Sequence, residues 1–286
     1  MARLRLATCQ FAVSGDLRVN ARAILRQMRE ARRRGADLAH FSEACLSGYA
    51  GTDLPNLKGF DWDLHAELLA DILRLAGELR LWVVVGSSHR LIPPHKPHNC
   101  LYIISSAGRL VTRYDKRFCT AGDLKHYTPG SAPVTFQVLG VRCGALICYD
   151  FRFPELYREY YRLGVRLMLH SFHQAHGKPA RKADGGNILG HITPASVFAH
   201  AANNYLWISA NNSCARVSRW GSFVAQPDGM LAGRLPLHRP GMILTTIDTT
   251  REFYDAPGKN RERAIKGLLS SLPPVRDSRS RSRQTI

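Results

Sequence analysis

The feature that most constrains this chain is how its apolar period changes along its length. Residues 3–13 alternate apolar and polar, the period-two signature of a half-buried strand. Residues 19–34 switch to helical spacing, with Ile24, Leu25 and Met28 on one face and Gly35 suited to end the helix. A short strand follows at 37–41, then a second helical stretch at 62–79. Strands come next at 81–90, 99–105 and 109–115, the last two joined by a turn at Ala107-Gly108. Beyond a loop, strands are expected at 134–138 and 141–148, a helix at 153–163 and a strand at 165–170. Residues 171–190 are polar and glycine-rich and read as a surface loop or lid. A helix at 192–203 and strands near 205–211, 222–226, 230–235 and 242–248 complete the series. Strands alternating with helices, with hairpins mixed in, predict an α/β protein whose mixed sheets are covered by helices. No internal repeat or dividing linker interrupts residues 1–272, so one domain is expected, followed by a basic, disordered tail at 273–286.

Composition narrows the function classes. No apolar run approaches the roughly 20 residues of a membrane span. The N-terminal stretch lacks the apolar core and cleavage site of a signal peptide, so a cytoplasmic protein is expected. Seven scattered cysteines, an odd number, do not form a disulfide framework. Twelve histidines show no metal-ligand spacing, and neither a metal nor a cofactor is expected. The formal charge of +18 invites a nucleic-acid partner. The basic residues are spread, however, over a helix face at Arg22–Arg34 and over the tail SRSRSRQTI from Ser278. They read as a solvated face and a tail, with polyanion or membrane-surface contact as the alternative.

Three segments carry possible chemistry. In GALICYDFRFPELY a buried strand stops at Cys148, and Pro154 sits in the first turn of the next helix. A thiol at a strand-to-helix turn is held rigidly beside free backbone N–H groups that can stabilise an oxyanion. In AHFSEACLSGY, Glu43 ends a strand among apolar residues, where desolvation suits a carboxylate to proton transfer. In RYDKRF, Lys116 ends a strand and can face a developing negative charge. Singly, each has a bland alternative: a small core cysteine, a surface glutamate, one more lysine in a basic chain.

Together, at three strand ends in the order Glu, Lys, Cys, they resemble the carbon–nitrogen hydrolase (nitrilase) superfamily over roughly residues 3–256. The motifs are FSEACLSGY, YDKRF…HYTPG and CGALICYDFRFPELYR, supported by Ala7–Val13 with Asn20 and by Gly221-Ser222 before Pro227-Asp228-Gly229. The resemblance implies a four-layer αββα sandwich with two central mixed sheets, and a dimer joined across them. It implies Cys148 as nucleophile, Glu43 as general base and acid, Lys116 as oxyanion donor and the Tyr149 backbone N–H as second donor. Asp123 falls where many members carry a further glutamate and is one methylene shorter. His200 and Asn203 stand where many members have Arg and Glu, so hydrogen bonds are expected to replace an ion pair there. Tyr49, Phe172 and His173 are candidate substrate contacts. Arg152, with His173 and Lys178, suggests a substrate carboxylate, the alternative being that Arg152 pairs with Glu155. Cys-Tyr-Asp after the strand looks more like the amidase and Nit-like branches than true nitrilases. The expected reaction is hydrolysis of a small amide through a thioester, releasing ammonia and an acid. An N-carbamoyl-amine hydrolase or a nitrilase is the nearest rival. A non-catalytic polyanion-binding scaffold is the rival from another class.

Overall fold

The structure, a computed structural model, describes residues 2–175 and 187–282. Two six-stranded sheets face each other. The first contains β1 (Arg3–Gln10), β2 (Leu38–His40), β3 (Trp82–His89), β4 (His98–Ile104), β5 (Leu110–Asp115) and β12 (Gly241–Asp248). Its order is β12-β1-β2-β3-β4-β5. The second contains β6 (Thr135–Val138), β7 (Val141–Ile147), β8 (Leu167–Phe172), β9 (Trp207–Asn212), β10 (Phe223–Ala225) and β11 (Leu231–Arg234), in the order β11-β10-β9-β8-β7-β6. Each sheet is parallel at its centre, β1-β2-β3 in one and β7-β8-β9 in the other, and antiparallel outside.

Helices α1 (Leu17–Arg33) and α2 (Trp62–Leu79) pack their apolar faces on the first sheet through Ile24, Met28, Ile72 and Leu75. Helices α3 (Pro154–Arg162) and α4 (Ile188–Asn204) cover the second through Tyr157, Tyr160, Val197 and Ala201. The result is the expected four-layer αββα sandwich. A short helix α5 (Gly258–Ile265) follows, and every described residue from Lys266 on is exposed. Among the described residues no helix is long and apolar enough to cross a membrane.

Several boundaries differ from the sequence expectation for local reasons. Helix α1 starts at Leu17 rather than 19 because Asp16 caps it, accepting from Val19 N at 3.0 Å. Helix α4 starts at Ile188, not 192, because Asn187 accepts from Gly190 N at 3.1 Å. Strand β1 stops pairing at Gln10 although alternation continues to Val13. Phe11 and Val13 stay buried while their backbones turn to Cys214 N and Ser213 Oγ.

The expected surface loop at 171–190 needs correction at both of its described ends. Ser171 and Phe172 belong to β8, paired with Asn211 and Asn212, and His173, Gln174 and Ala175 are buried. Helix α4 already begins at Ile188. The polarity misled because these side chains find partners inside the protein: Ser171 Oγ donates to Phe41 O, and Gln174 Oε1 accepts from Thr193 and Trp220. The rest of that stretch, including Lys178, lies outside the described residues.

Polar groups also cross the seam between the sheets. His40 reaches Ser209 with Nδ1 at 2.8 Å and Ser171 with Nε2 at 2.9 Å, and Thr8 reaches Ser209 at 2.7 Å. Directional bonds of this kind fix the register of one sheet against the other, which packing alone specifies less sharply.

Candidate active site

The site forms at strand ends, β2 and β7 from the parallel centres and β5 from the antiparallel edge of the first sheet. Cys148 directly follows β7, Glu43 lies three residues beyond β2, and Lys116 follows β5. Ligands of open α/β sheets gather outside the carboxyl ends of the parallel strands, and this crevice lies there in both sheets at once.

Cys148 occupies a strained turn. Its φ of +41° is in the left-handed region, unusual for a residue with a Cβ. Residues Cys148–Arg152 form a short 3-10 turn before α3 begins at Pro154. Asp150 holds that turn, accepting from Ile147 N at 2.9 Å, Phe118 N at 3.0 Å and Tyr114 Oη at 2.7 Å. Tyr114 and Phe118 flank Lys116, so one buried carboxylate ties the cysteine turn to the lysine strand. Burial raises the Asp150 pKa, and its hydrogen bonds oppose that rise. His200 braces the same turn from α4, its Nε2 3.1 Å from Phe151 O and its ring stacked on Tyr157. The backbone carbonyl of Asn203 accepts from Arg158 and Arg261. At His200 a side-chain hydrogen bond thus stands where the superfamily pattern suggested an ion pair, whereas Asn203 contributes only its backbone carbonyl.

Lys116 is buried between two carboxylates, its Nζ 2.8 Å from Glu43 Oε1 and 2.9 Å from Asp123 Oδ2. Burial alone would lower its pKa, but Glu43, Tyr49, Cys148 and Asp123 outweigh that and hold the ammonium well above its usual value. Burial pushes Asp123 up, and Lys116 with the Tyr49 hydroxyl more than reverses it, leaving the carboxyl below its usual range. Tyr49 donates to Asp123 Oδ1, and Thr120 N donates to Oδ2 at 2.9 Å. Glu43 Oε1 also accepts from Asn99 Nδ2 at 2.8 Å, whereas its buried Oε2 has no hydrogen-bond partner. Burial raises the Cys148 thiol pKa, with Glu43 adding to the rise and Lys116 opposing it.

Two glycines allow backbones to approach. A Cβ on Gly86 would stand 2.2 Å from Ser42 O and 2.9 Å from Glu43 C. On Gly130 it would stand 2.4 Å from Asp115 O, and the Gly130 N–H donates to Lys116 O at 2.8 Å. Gly86 and Gly130 therefore position the glutamate and the lysine through close contact.

The structure brings Glu43, Tyr49, Lys116, Asp123 and Cys148 together. Tyr149 is half-buried, its ring edge-on to Phe153, and its N–H lies in the first turn after β7, where helical N–H groups lack intrahelical acceptors. His173 is buried, its ring 5.2 Å from that of Tyr49. Phe172 directs its ring into the core, stacked on His170 and edge-on to Trp220, and contributes its backbone to the site: Phe172 O accepts from Glu43 N at 3.3 Å. Arg152 is exposed, with its guanidinium 5.0 Å from the Phe151 ring centre, and no ion pair joins it to Glu155. Sequence reasoning missed Asn99, Asp53 and the bracing role of Asp150. Only Asp150 left a trace, in the Cys-Tyr-Asp triplet; Asn99 follows His98 at the start of β4, a strand that merely runs beside β5.

The sequence profile described as Carbon-nitrogen hydrolase matches residues 5–254. Deaminated glutathione amidase of Bos taurus is 26% identical over 266 residues, covering 85% of this chain and 76% of its own length. An (R)-stereoselective amidase of Pseudomonas sp is 28% identical over 251 residues, covering 84% of this chain and 85% of its own. Among solved structures, the C145A mutant of the Nesterenkonia AN1 amidase from the nitrilase superfamily superposes with a TM-score of 0.76 at 19% identity. That alignment covers 94% of this chain and 98% of the other. With the profile spanning most of its length, the chain belongs to the carbon–nitrogen hydrolase family.

Proposed function

We propose that this enzyme hydrolyses the carbon–nitrogen bond of a small linear amide through a thioester on Cys148. The observation that carries the reading is the division of labour on Glu43. Its Oε1 is committed to Lys116 and Asn99, and its Oε2 is buried without a partner, ready to take a proton. Because the Cys148 thiol is held protonated, it needs such a base at the moment of attack. Glu43 accepts the thiol proton as sulfur bonds to the amide carbon. The Lys116 ammonium and the Tyr149 N–H hold the oxyanion. Glu43 returns the proton to the departing nitrogen, ammonia leaves, and a thioester remains. Glu43 then takes a proton from water, hydroxide adds to the thioester, and the acid departs as the thiol is restored. Asp123 acts as the accessory acid by keeping Lys116 charged and aimed.

The names of the relatives, deaminated glutathione amidase and (R)-stereoselective amidase, favour an amide over a nitrile. A neighbouring structure holds butyramide, a small linear amide. Arg152, exposed and free of Glu155, supports a preference for amides bearing a carboxylate. Seven free thiols support a reducing compartment such as the cytoplasm.

The test is ammonia release from a panel of small amides, ω-amides, carbamoyl compounds and nitriles. The parent enzyme is expected to turn over the amides, whereas folded Cys148→Ala and Glu43→Gln are expected to be inactive. Turnover confined to carbamoyl compounds or nitriles would replace the amide reading. Comparable turnover by Cys148→Ala would remove the cysteine from the chemistry, and no turnover by the parent on any class would favour a scaffold. Arg152→Lys is expected to raise KM for carboxylate-bearing amides and leave neutral ones unchanged; equal losses for both would make Arg152 structural.

A further inference from the structure

One peptide group links the base to the nucleophile. The carbonyl of the Phe172–His173 peptide accepts from Glu43 N at 3.3 Å, and its N–H, that of His173, lies close enough to Cys148 to oppose the rise of the thiol pKa. The tilt of this peptide therefore sets how Glu43 and Cys148 face each other. Its N–H also favours the thiolate over the thiol.

The His173 side chain is tied down on the far side. Its Nε2 lies 2.9 Å from Asp53 Oδ2, and both side chains are fully buried. The same Asp53 oxygen accepts from Tyr49 N at 2.9 Å. Tyr49 donates through its hydroxyl to Asp123, which pairs with Lys116, which pairs with Glu43. The contacts form a closed ring: Cys148, the 172–173 peptide, His173, Asp53, Tyr49, Asp123, Lys116, Glu43 and back through Phe172 O. Asp53 is where the lysine arm and the cysteine arm of that ring meet.

We propose that Asp53 and His173 are a positioning pair, which fixes the Phe172–His173 peptide against Cys148 and Glu43 and holds the Tyr49–Asp123 arm that aims Lys116. This inference rests on Cys148 being the nucleophile. Neither side chain needs to touch the reacting atoms. A buried imidazole held by a carboxylate lacks the rotational freedom that would let the peptide tilt, and small displacements of reacting groups cost much in rate.

The test uses the full chain with Asp53→Asn, His173→Leu and His173→Gln. Glutamine can keep a donor toward Asp53 where leucine cannot. Two readouts separate positioning from mere stability: kcat against KM on an amide the parent turns over, and the rate at which iodoacetamide alkylates Cys148 at fixed pH. In His173→Leu and Asp53→Asn both kcat and alkylation rate are expected to fall about tenfold or more, the factor carried by one unit of thiol pKa, with KM nearly unchanged. His173→Gln is expected to recover most of the loss. Intact mass reports folding, because an unfolded chain labels at all seven cysteines and a folded one does not. If Asp53→Asn does not fold, the leucine and glutamine variants at His173 decide. Folded His173→Leu with parental kcat and alkylation would overturn the proposal, as would a loss confined to KM, which would make His173 a substrate contact. Turnover by Cys148→Ala is the separate result that would remove the underlying reading.

Discussion

Asn99 donates to the same oxygen of Glu43, Oε1, that Lys116 holds, each at 2.8 Å. Two donors on one carboxylate oxygen hold that oxygen in place and leave Oε2 as the one directed to other work. Lys116 N also donates to Asn99 O at 2.9 Å, so a single asparagine on β4 fixes the lysine backbone and the glutamate side chain together.

Asn99→Ala is expected to lower kcat/KM by roughly 10- to 100-fold, the equivalent of a hydrogen bond to a charged group at about 1.5–3 kcal/mol. Steady-state kinetics on any amide the parent accepts checks this. Unchanged kinetics would mean that Lys116 alone holds the carboxylate.

Gly86→Ala is expected to cost activity out of proportion to its size. The added methyl group would meet the backbone of Ser42, Ala44 and Glu43 at 2.2, 2.6 and 2.9 Å, so the Glu43 turn must shift. A misplacement of about 1 Å can cost on the order of 100-fold in rate. The measurement is kcat beside the thermal midpoint. Parental activity would show that β3 can retreat instead.

Stability is expected to fall as pH drops below about 6.5. Burial holds the His40 imidazole down to about 3 and His65 down to about 4, from an ordinary 6.5. Between those values and 6.5 the unfolded chain binds more protons than the folded one, so each histidine removes up to about 1.4 kcal/mol per pH unit as pH falls. Above that window their contribution is complete and flat. Asp150, whose carboxyl is raised by burial from 3.8, acts in the opposite direction just above that value, so the comparison is made against a variant. Urea midpoints at pH 7.5, 6 and 5 are expected to decline less steeply for His40→Gln than for the parent. Equal slopes would mean that His40 does not contribute.

A homodimer is expected, as in the superfamily. Leu268, Leu269 and Leu272 are 50%, 88% and 75% exposed, an apolar run that a single chain leaves uncovered. Sedimentation at micromolar concentration is expected to give a dimer, and Leu269→Glu with Leu272→Glu to weaken it. A parent that sediments as a monomer would count against the assembly, and a charged double variant that stays dimeric would place the interface elsewhere.

The sequence by itself determined the α/β alternation and pointed to Glu43, Lys116 and Cys148 as candidates. Strand and helix periods predict an α/β protein whose mixed sheets are covered by helices, and the four-layer sandwich came from the superfamily resemblance. Cys148, Glu43 and Lys116 were legible because each lies within a local motif just beyond a strand. Asp123 was legible only through the superfamily resemblance. The tertiary structure decided the remainder. Asn99 reaches Glu43, 56 residues away, and Asp53, besides its local bond from Tyr49 N, reaches His173 beyond β8; neither distant pairing has a local signature. Phe172 was expected as a substrate contact, yet the pleat sends its ring into the core and leaves its carbonyl facing Glu43. Residues 171–175 read as surface because polarity is a local property, whereas hydrogen-bond satisfaction belongs to the folded whole. Local spacing specifies what each element can bury, but only the packing of two sheets against each other brings the ends of β2, β5, β7 and β8 to one point.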